Sequence, residues 1–381
     1  MAREVRPLTG LRGLAACAVM AKHCLVVPPS AVLAGIMIDH GYIAVDLFLM
    51  LSGFVLAMTY EASFAATTGI QPFRRFVVHR VARIYPLFLA TTLLCFLLLK
   101  AGLLDFGDAT VSWPALAANL AMVQSWGWPD NSLNAPAWSI STEWAANLFF
   151  PCFVIIFLRL SRRMSLASAG AAVLIVAGCA LIPDHRPHAP IQGSLNIVAF
   201  PRGLSRCAAE FGLGVFCWRL RAETQIADRL GRTPVLAAVL AALLLLMPFE
   251  QLDLLEVPVL AALILGLSAE RSPIAAAFGS PVLRALGLIS YSIYLIHVPL
   301  FPLRALLLAP LQALRLPFAG ALASCLLMLL TIGAAALTYR FLERPAQDWI
   351  RRRFGRRPPE AHKIPATLPD DFPIESSGKT L

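Results

Sequence analysis

An arginine and a histidine share one apolar segment near the N-terminus, LRGLAACAVMAKHCLVV, at positions 12 and 23. Eleven residues at 100° each give about 1100°, within roughly 20° of three full turns of an α-helix. Arg12 and His23 therefore share one helical stripe, about 16 Å apart along the axis. The structural alternatives are a snorkelling anchor for Arg12 and a helix–helix hydrogen bond for His23. Because ionisable groups are costly inside a membrane, this stripe favours a functional site.

A second pair of arginines, Arg80 and Arg83, lies in FRRFVVHRVARIYPLF just before an apolar run resumes. Residues three apart share a helical face. Paired guanidinium groups at a membrane surface suit a phosphorylated ligand, since each can bind phosphate oxygens in bidentate fashion. The alternative is that these are the ordinary basic residues of a cytoplasmic loop.

A catalytic histidine is expected to have a carboxylate that orients or balances its imidazole. The candidates are Glu143 in WSISTEW and Asp46 in YIAVDLF, both near the predicted outer ends of their helices. The alternatives are a carboxylate at a helix start for Glu143 and an interfacial residue for Asp46. Tyr291 and His297 in SYSIYLIHVPL lie in a hydroxyl-rich segment, which suits either a sugar substrate or another helix.

The composition places these residues in a membrane. Of 381 residues, 58% are hydrophobic and 14% charged, and the mean hydropathy is +0.72. Soluble domains are about 45–50% apolar and about a quarter charged, so the chain is predicted to be an integral membrane protein. The net charge of +10 falls in clusters between apolar runs. That pattern is typical of the positive-inside rule and argues against nucleic-acid binding.

We predict an all-α fold: a polytopic integral membrane helical bundle of about ten transmembrane helices with both termini cytoplasmic. Segment 113–126 is too short to cross about 30 Å at 1.5 Å per residue. Leaving it out of the count keeps the basic clusters on one side of the membrane. The ten predicted spans are 10–28, 41–60, 84–104, 139–158, 166–183, 203–219, 234–248, 255–270, 285–308 and 318–341.

No metal site is predicted, because the eight cysteines form no CxxC pair and none has zinc-finger spacing from a histidine. His40, His185 and His188 are assigned to external loops, and His362 to the tail, without a role. The domain prediction is a membrane domain over 6–348, followed over 349–381 by a basic and then disordered cytoplasmic tail.

Six motifs occur in order along the chain: LRGLAACAVMAKH, YIAVDLFLMLSGFVL, HRVARIYPLF, WSISTEW, ISYSIYLIHVPLF and FLERP. Together they resemble the acyltransferase-3 family of membrane-bound O-acyltransferases over roughly residues 6–348. The family's pattern of arginine, ten residues and histidine falls on Arg12 and His23. Its arginine pair falls on Arg80 and Arg83.

The resemblance implies a multi-pass enzyme of the inner (plasma) membrane with no permanently bound cofactor. Its donor would be cytoplasmic acyl-CoA, with acetyl the expected acyl group. The acceptor would be a hydroxyl of a surface glycan, a lipid-linked sugar or a similar molecule. Some family members carry a fused extracellular domain and this sequence shows none. We therefore expect the chain either to finish the transfer itself or to hand the acyl group to a partner protein.

In this interpretation Arg12, Arg80 and Arg83 hold the anionic head of CoA at the inner surface. The pantetheine arm, about 15–20 Å long, then reaches His23 about three helical turns away. His23 acts either as a general base or through a transient acyl-histidine, and the sequence leaves both open. The rival interpretations are a transporter or flippase without covalent chemistry and a structural membrane scaffold.

Overall fold

A computed structural model describes residues 4–27, 30–66, 70–106, 111–127, 132–183 and 190–354. These residues form helices and no strands. The α-helices are α1 (Arg6–Cys24), α2 (Val32–Asp39), α3 (Ala44–Ala66), α4 (Ile70–Lys100), α5 (Trp113–Leu120), α6 (Trp138–Leu148), α7 (Phe150–Val154), α8 (Arg162–Leu181), α9 (Arg202–Glu223), α10 (Ile226–Leu230), α11 (Thr233–Leu246), α12 (Asp253–Ser268), α13 (Pro273–Phe278), α14 (Pro281–Leu288), α15 (Ser290–Ile296), α16 (Leu303–Ala313), α17 (Ala319–Thr338) and α18 (Arg344–Phe354).

Short segments of other helix types link some of these elements. Three are 3₁₀-helices, at His40–Ile43, Ala135–Ala137 and Glu250–Leu252. Two are π-helices, at Ile155–Arg159 and Tyr339–Glu343. The predicted disordered part of the tail and the histidines at 185, 188 and 362 lie outside the described residues.

Five helical stretches in the described part of the chain are long and apolar enough to cross a membrane. They are Val32–Phe64, Ile70–Lys100, Arg162–Leu181, Glu250–Ser268 and Ala319–Phe354. A sixth is added if Ala135–Leu148 and Phe150–Arg159, which meet at a 63° bend, form one span. The helical multi-pass architecture is confirmed, whereas about ten spans and cytoplasmic termini are not.

The difference has identifiable causes in the helices that do not qualify. The helix α1 carries Arg12 and Lys22, and α9 contains a buried ion-pair cluster, so both are too polar. The helices α11 and α16 are apolar but only 14 and 11 residues long. At 1.5 Å per residue they reach about 21 and 17 Å, short of a hydrocarbon core of about 30 Å.

Two predicted continuous helices are broken. The 139–158 segment bends after α6, where Pro151 stands at the start of α7. The 285–308 segment is divided into α14, α15 and α16, with Pro302 immediately before α16. Proline lacks a backbone N–H and clashes with the preceding turn, so the bend after α6 and the break before α16 have a local cause.

Close backbone contacts hold α3 against α9 and α1 against α14. A Cβ atom added at Gly53 of α3 would lie 2.0 Å from the carbonyl oxygen of Phe211. One added at Gly287 of α14 would lie 1.8 Å from the carbonyl oxygen of Thr9. Small residues allow such approaches between membrane helices. These two crossings place α1 and α3 beside the cavity described next.

Candidate active site

Helices α1, α3, α4, α6 and α15 line a cavity of about 120 Å³ that is partly open. Apolar residues such as Val45 and Leu49 form much of its wall. Its polar lining is concentrated in nine side chains: Arg12, Ser52, Arg80, Arg83, Ser139, Glu143, Ser290, Tyr291 and Tyr294. Five residues singled out from the sequence, on four separate helices, are therefore brought to one place: Arg12, Arg80, Arg83, Glu143 and Tyr291.

Glu143 contacts both α4, the helix that carries Arg80 and Arg83, and α3. The Nη2 atom of Arg80 lies 2.6 Å from Oε1 of Glu143, and the hydroxyl of Ser52 donates to the same oxygen at 2.6 Å. Groups in direct contact lie at one depth. The prediction that Glu143 lies toward the outer side while Arg80 lies at the inner surface is therefore wrong. The bend after α6 explains this, because the helix that carries Glu143 is not a straight span.

Arg83 has two partners on other elements. It forms an ion pair with the buried carboxylate of Glu343, which also accepts a hydrogen bond from Ser292 at 2.8 Å. Its guanidinium lies 5.3 Å from the ring centre of Tyr291, whose hydroxyl donates to the carbonyl of Ile84. Sequence reasoning did not assign Glu343 to the site, although it belongs to the FLERP motif.

Arg12 differs from the other two cavity arginines. It lines the cavity but forms no ion pair with any carboxylate of the described residues. Three guanidinium groups therefore face two carboxylates, those of Glu143 and Glu343. The excess positive charge favours an anionic ligand in this cavity.

His23 pairs with His297 instead of with a carboxylate. Their Nδ1 and Nε2 atoms are 3.2 Å apart, and their rings stack with centroids 5.1 Å apart. The Nδ1 atom of His297 also lies 3.2 Å from the carbonyl oxygen of Ile293. A carbonyl oxygen only accepts, so Nδ1 of His297 carries a hydrogen, and Nε2 of the neutral ring is an acceptor. His23 then donates from Nδ1, which leaves a lone pair on its Nε2 atom.

Neither of the two carboxylates expected to orient or balance His23 contacts it in the structure. Glu143 contacts Arg80, and Asp46 forms a buried ion pair with Arg206. Arg206 also contacts Glu210 at 3.2 Å, and all three side chains of this cluster are at most 1% exposed. The buried Arg206 demands compensating carboxylates, which accounts for the position of Asp46.

The two histidines do not line the arginine cavity. Tyr294 lies between them and the cavity: it lines the cavity, and its ring centre is 6.3 Å from that of His297. Phe48 also lines the cavity and packs edge-on against Tyr294 at 5.8 Å. His23 is exposed, whereas His297 is buried. Tyr294 and Phe48 thus link the lining of the cavity to the histidine pair.

The uninterrupted helix α1 connects the two places. It runs from Arg6 to Cys24 and carries Arg12 at the cavity and His23 at the histidine pair. Arg12 and His23 are therefore about 16 Å apart along the axis of α1, as expected from the sequence. A metal-ligand arrangement occurs in the described residues only at His40, Asp253 and Glu256, none of which lines the cavity.

The motifs that converge on this site are matched by a known family. Residues 7–340 match the family model described as Acyltransferase domain, Acyl_transf_3. The chain belongs to the acyltransferase-3 family. The predicted family is therefore confirmed.

Two relatives carry related descriptions. The chain is 35% identical over 185 residues to Acyltransferase MdmB of Streptomyces mycarofaciens, an alignment that covers 44% of each chain. It is 24% identical over 382 residues to Putative peptidoglycan O-acetyltransferase YrhL of Bacillus subtilis (strain 168). That alignment covers 93% of this chain and 57% of the relative, so the chain spans about half the length of the two relatives. No solved structure matches the chain.

Proposed function

We propose that the chain is a membrane O-acyltransferase that moves an acyl group, with acetyl the best candidate, from cytoplasmic acyl-CoA to a hydroxyl of a glycan or lipid-linked sugar. One observation carries the proposal. Three arginines converge on one cavity, and one of them, Arg12, shares a continuous helix with His23. The arrangement provides an anion site at a fixed distance from an imidazole with an available lone pair.

The donor is proposed to bind with its phosphates in the arginine cavity. Among the residues that the structure describes, Arg12 has no carboxylate partner, whereas Arg80 and Arg83 are each held in place by one. Guanidinium groups fixed in this way bind phosphate oxygens with little further loss of side-chain freedom. The arm of about 15–20 Å is long enough for the separation of about 16 Å along α1. Its path to His23 leads past Tyr294 and Phe48.

The chemistry begins at the Nε2 atom of His23. As a general base, it takes the proton of the acceptor hydroxyl while the oxygen attacks the thioester carbonyl. The carbon–sulfur bond then breaks, and the departing thiolate takes the proton from the imidazolium. In the acyl-histidine alternative, Nε2 itself attacks the carbonyl, the carbon–sulfur bond breaks and the thiolate leaves. The hydroxyl oxygen then attacks the acyl carbon, the bond from that carbon to Nε2 breaks, and the hydroxyl proton passes by way of Nε2 to the thiolate. Both routes need the same lone pair, which the hydrogen bond to His297 leaves available.

The acceptor class is supported by a relative's name. The Bacillus subtilis relative is described as a putative peptidoglycan O-acetyltransferase. A hydroxyl of an envelope glycan, reached from the inner (plasma) membrane, is the corresponding proposal for this chain. An acyl-accepting partner protein is the alternative destination of the acyl group.

Release of free thiol tests the proposal. The full chain, purified in detergent, is incubated with acetyl-CoA and either a peptidoglycan fragment or a lipid-linked sugar. We expect thiol release that depends on the acceptor and is lost in His23→Ala. Absence of thiol release with every acceptor, together with movement of lipid-linked sugar across vesicles that contain the protein, would identify a transporter instead.

Two further measurements define the products. Acid quenching with acetyl-labelled CoA in the absence of acceptor traps label on the protein only in the acyl-histidine route. Mass analysis of envelope glycans from a deletion strain identifies the acyl group and the acceptor through the lost mass. An unchanged glycan mass profile combined with label on a second protein indicates the partner-protein route.

A further inference from the structure

A second buried polar cluster lies where the 3₁₀-helix His40–Ile43 meets the start of α12. It consists of His40, Asp253 and Glu256, which are 1%, 0% and 0% exposed. The Nε2 atom of His40 is 3.4 Å from Oδ1 of Asp253 and 3.1 Å from Oε1 of Glu256. The ligand atoms of all three residues lie within 4.8 Å of one another. The sequence pattern assigned no role to His40 and predicted an external loop there, whereas the side chain is buried.

The atoms that face one another in this cluster lack hydrogen bonds. Nε2 of His40, Oδ1 of Asp253 and both carboxylate oxygens of Glu256 have no hydrogen-bond partner in the described part of the chain. Burial of carboxylate oxygens without donors is strongly unfavourable. A bound cation would provide the electrostatic partner that these four buried atoms lack.

The remaining atoms of the cluster are hydrogen-bonded in a way that leaves Nε2 available. The hydroxyl of Tyr42 donates to Oδ2 of Asp253 at 2.7 Å, and the backbone N–H of Leu195 donates to the same oxygen at 2.7 Å. Since the hydroxyl proton of Tyr42 is directed to Asp253, its oxygen can accept from Nδ1 of His40, 3.4 Å away. His40 then carries its hydrogen on Nδ1, which leaves a lone pair on Nε2, the ring nitrogen that lies nearest the two carboxylates. Such outer hydrogen bonds orient metal ligands.

The spacing and chemistry of the ligand atoms fit a small transition-metal ion. Ligands at about 2.0–2.2 Å from Zn²⁺ lie about 2.8–3.6 Å from each other in tetrahedral or octahedral geometry. The separations of 3.1 and 3.4 Å fall in this range. One imidazole with two carboxylates suits Zn²⁺, whereas Ca²⁺ and Mg²⁺ prefer oxygen ligands alone. Two carboxylates and one divalent cation also make the buried cluster electrically neutral.

We propose that His40, Asp253 and Glu256 bind a divalent transition-metal ion, with Zn²⁺ the best match. The ion joins the 3₁₀-helix to α12 and, through Tyr42 and Asp253, to the segment that contains Leu195. Tyr42 also carries the ammonium of Lys22 over its ring at 5.2 Å, and Lys22 donates to the carbonyl of Asp39 at 2.7 Å. The ion therefore stabilises the last turn of α1, which contains Lys22 and His23. This proposed metal site does not depend on which acyl donor the protein uses.

Metal content and thermal unfolding test this site. The full chain is purified in detergent without chelators and analysed by elemental mass spectrometry, and we expect about one zinc per chain. After stripping with EDTA, addition of ZnCl₂ is expected to raise the melting temperature, whereas MgCl₂ and CaCl₂ at the same concentration leave it unchanged. Absence of bound metal together with absence of a shift by ZnCl₂ would overturn the proposal.

Two matched variants distinguish the loss of a metal ligand from the loss of a nearby negative charge. Glu256→Gln keeps the size of the side chain and removes a ligand. Loss of an outer hydrogen-bonding partner typically lowers metal affinity about 10–100-fold, so loss of a ligand is expected to lower Zn²⁺ affinity at least as much. Glu250→Gln removes a carboxylate from the preceding 3₁₀-helix, outside the cluster, and is expected to bind Zn²⁺ like the wild type. Equal losses in both variants would contradict the assignment.

A measurement on the wild-type protein covers the case in which Glu256→Gln does not fold. X-ray absorption at the zinc edge is expected to show nitrogen and oxygen neighbours at about 2.0–2.2 Å and no sulfur. Sulfur neighbours at about 2.3 Å would mean that zinc binds to cysteines instead, and the assignment to His40, Asp253 and Glu256 would fail.

Discussion

The Nδ1 atom of His23 lies 3.2 Å from the Nε2 atom of His297, and the two rings are nearly parallel. This contact joins α1 to the residue that follows α15, and no carboxylate takes part in it. Because His297 is anchored to the carbonyl of Ile293, the direction of the hydrogen bond between the rings is determined. The basic nitrogen of His23 is then Nε2.

Replacement of His23 by alanine is expected to lower the rate of acyl transfer by about 10²–10⁴-fold, the usual contribution of a general base. The measurement is release of thiol from acetyl-CoA in the presence of acceptor. His79→Ala is the matched control, since His79 contacts Tyr60 and does not line the cavity. Equal activity of the two variants would show that His23 has no part in the reaction.

Replacement of His297 by phenylalanine is expected to keep the ring volume but remove the acceptor for His23. The tautomer of His23 is then no longer fixed, and kcat is expected to fall by about 10–100-fold, part of the general-base contribution. KM for acetyl-CoA should change little, because the arginine cavity is intact. His297→Gln, whose amide oxygen can accept from Nδ1, should recover part of kcat. Equal values for the Phe and Gln variants would indicate that His297 only fills space.

The residues that converge on the cavity could be predicted because helical spacing determines which side chains share a face. Arg12 and His23 lie on one continuous helix, and Arg80 and Arg83 fall three residues apart on another. These relationships are local, so they follow from the sequence. The helical membrane fold follows equally from composition.

The partners across helices could not be predicted, because they depend on crossing points and depths that no local pattern encodes. The contact of His23 with His297 and that of Asp46 with Arg206 are of this kind. His40 appeared to belong to an external loop because it lies between apolar stretches. It is buried because Gly41 allows its segment to pack directly on α1: a Cβ there would lie 2.7 Å from the carbonyl oxygen of Ala18.

Replacement of Asp46 by alanine is expected to lower the free energy of unfolding by about 3–5 kcal/mol. The reason is that Arg206 would keep Glu210 as its only carboxylate partner in a fully buried setting. The measurement is thermal unfolding in detergent. Glu4→Ala is the control, because the ion pair of Glu4 with Arg284 is exposed and contributes little. A loss in Glu4→Ala as large as that in Asp46→Ala would contradict this assignment.

Replacement of Gly53 by alanine is expected to destabilise the fold by about 1–3 kcal/mol, the usual effect of an overpacked contact. The added Cβ would meet the backbone of α9 at Phe211, so the helices must separate. Gly170→Ala in α8 is the control, since no atom lies within 4 Å of its Cβ position. The control should be neutral or stabilising by up to about 1 kcal/mol, because alanine favours helix. Unfolding midpoints in detergent that rank the variants the other way would contradict the packing of α3 on α9.

A truncated donor tests whether the cavity arginines bind phosphate. Acetyl-pantetheine has the thioester and the arm of acetyl-CoA but no phosphates. Arg12→Ala is expected to raise KM for acetyl-CoA about 10–100-fold, the equivalent of a charge-assisted hydrogen bond of about 1.5–3 kcal/mol. The same variant should leave KM for acetyl-pantetheine unchanged, because that donor lacks the contact. The effect should also weaken in high salt if the cavity is open to solvent.

Arg284→Ala is the matched control for this experiment, since Arg284 is an arginine on α14 whose partner is Glu4 and which does not line the cavity. It should leave KM unchanged for both donors. A rise in KM for acetyl-pantetheine equal to that for acetyl-CoA in Arg12→Ala would mean that Arg12 shapes the cavity without touching phosphate. The head of the donor would then have to bind elsewhere, and the distance from Arg12 to His23 along α1 would have no relation to the length of the arm.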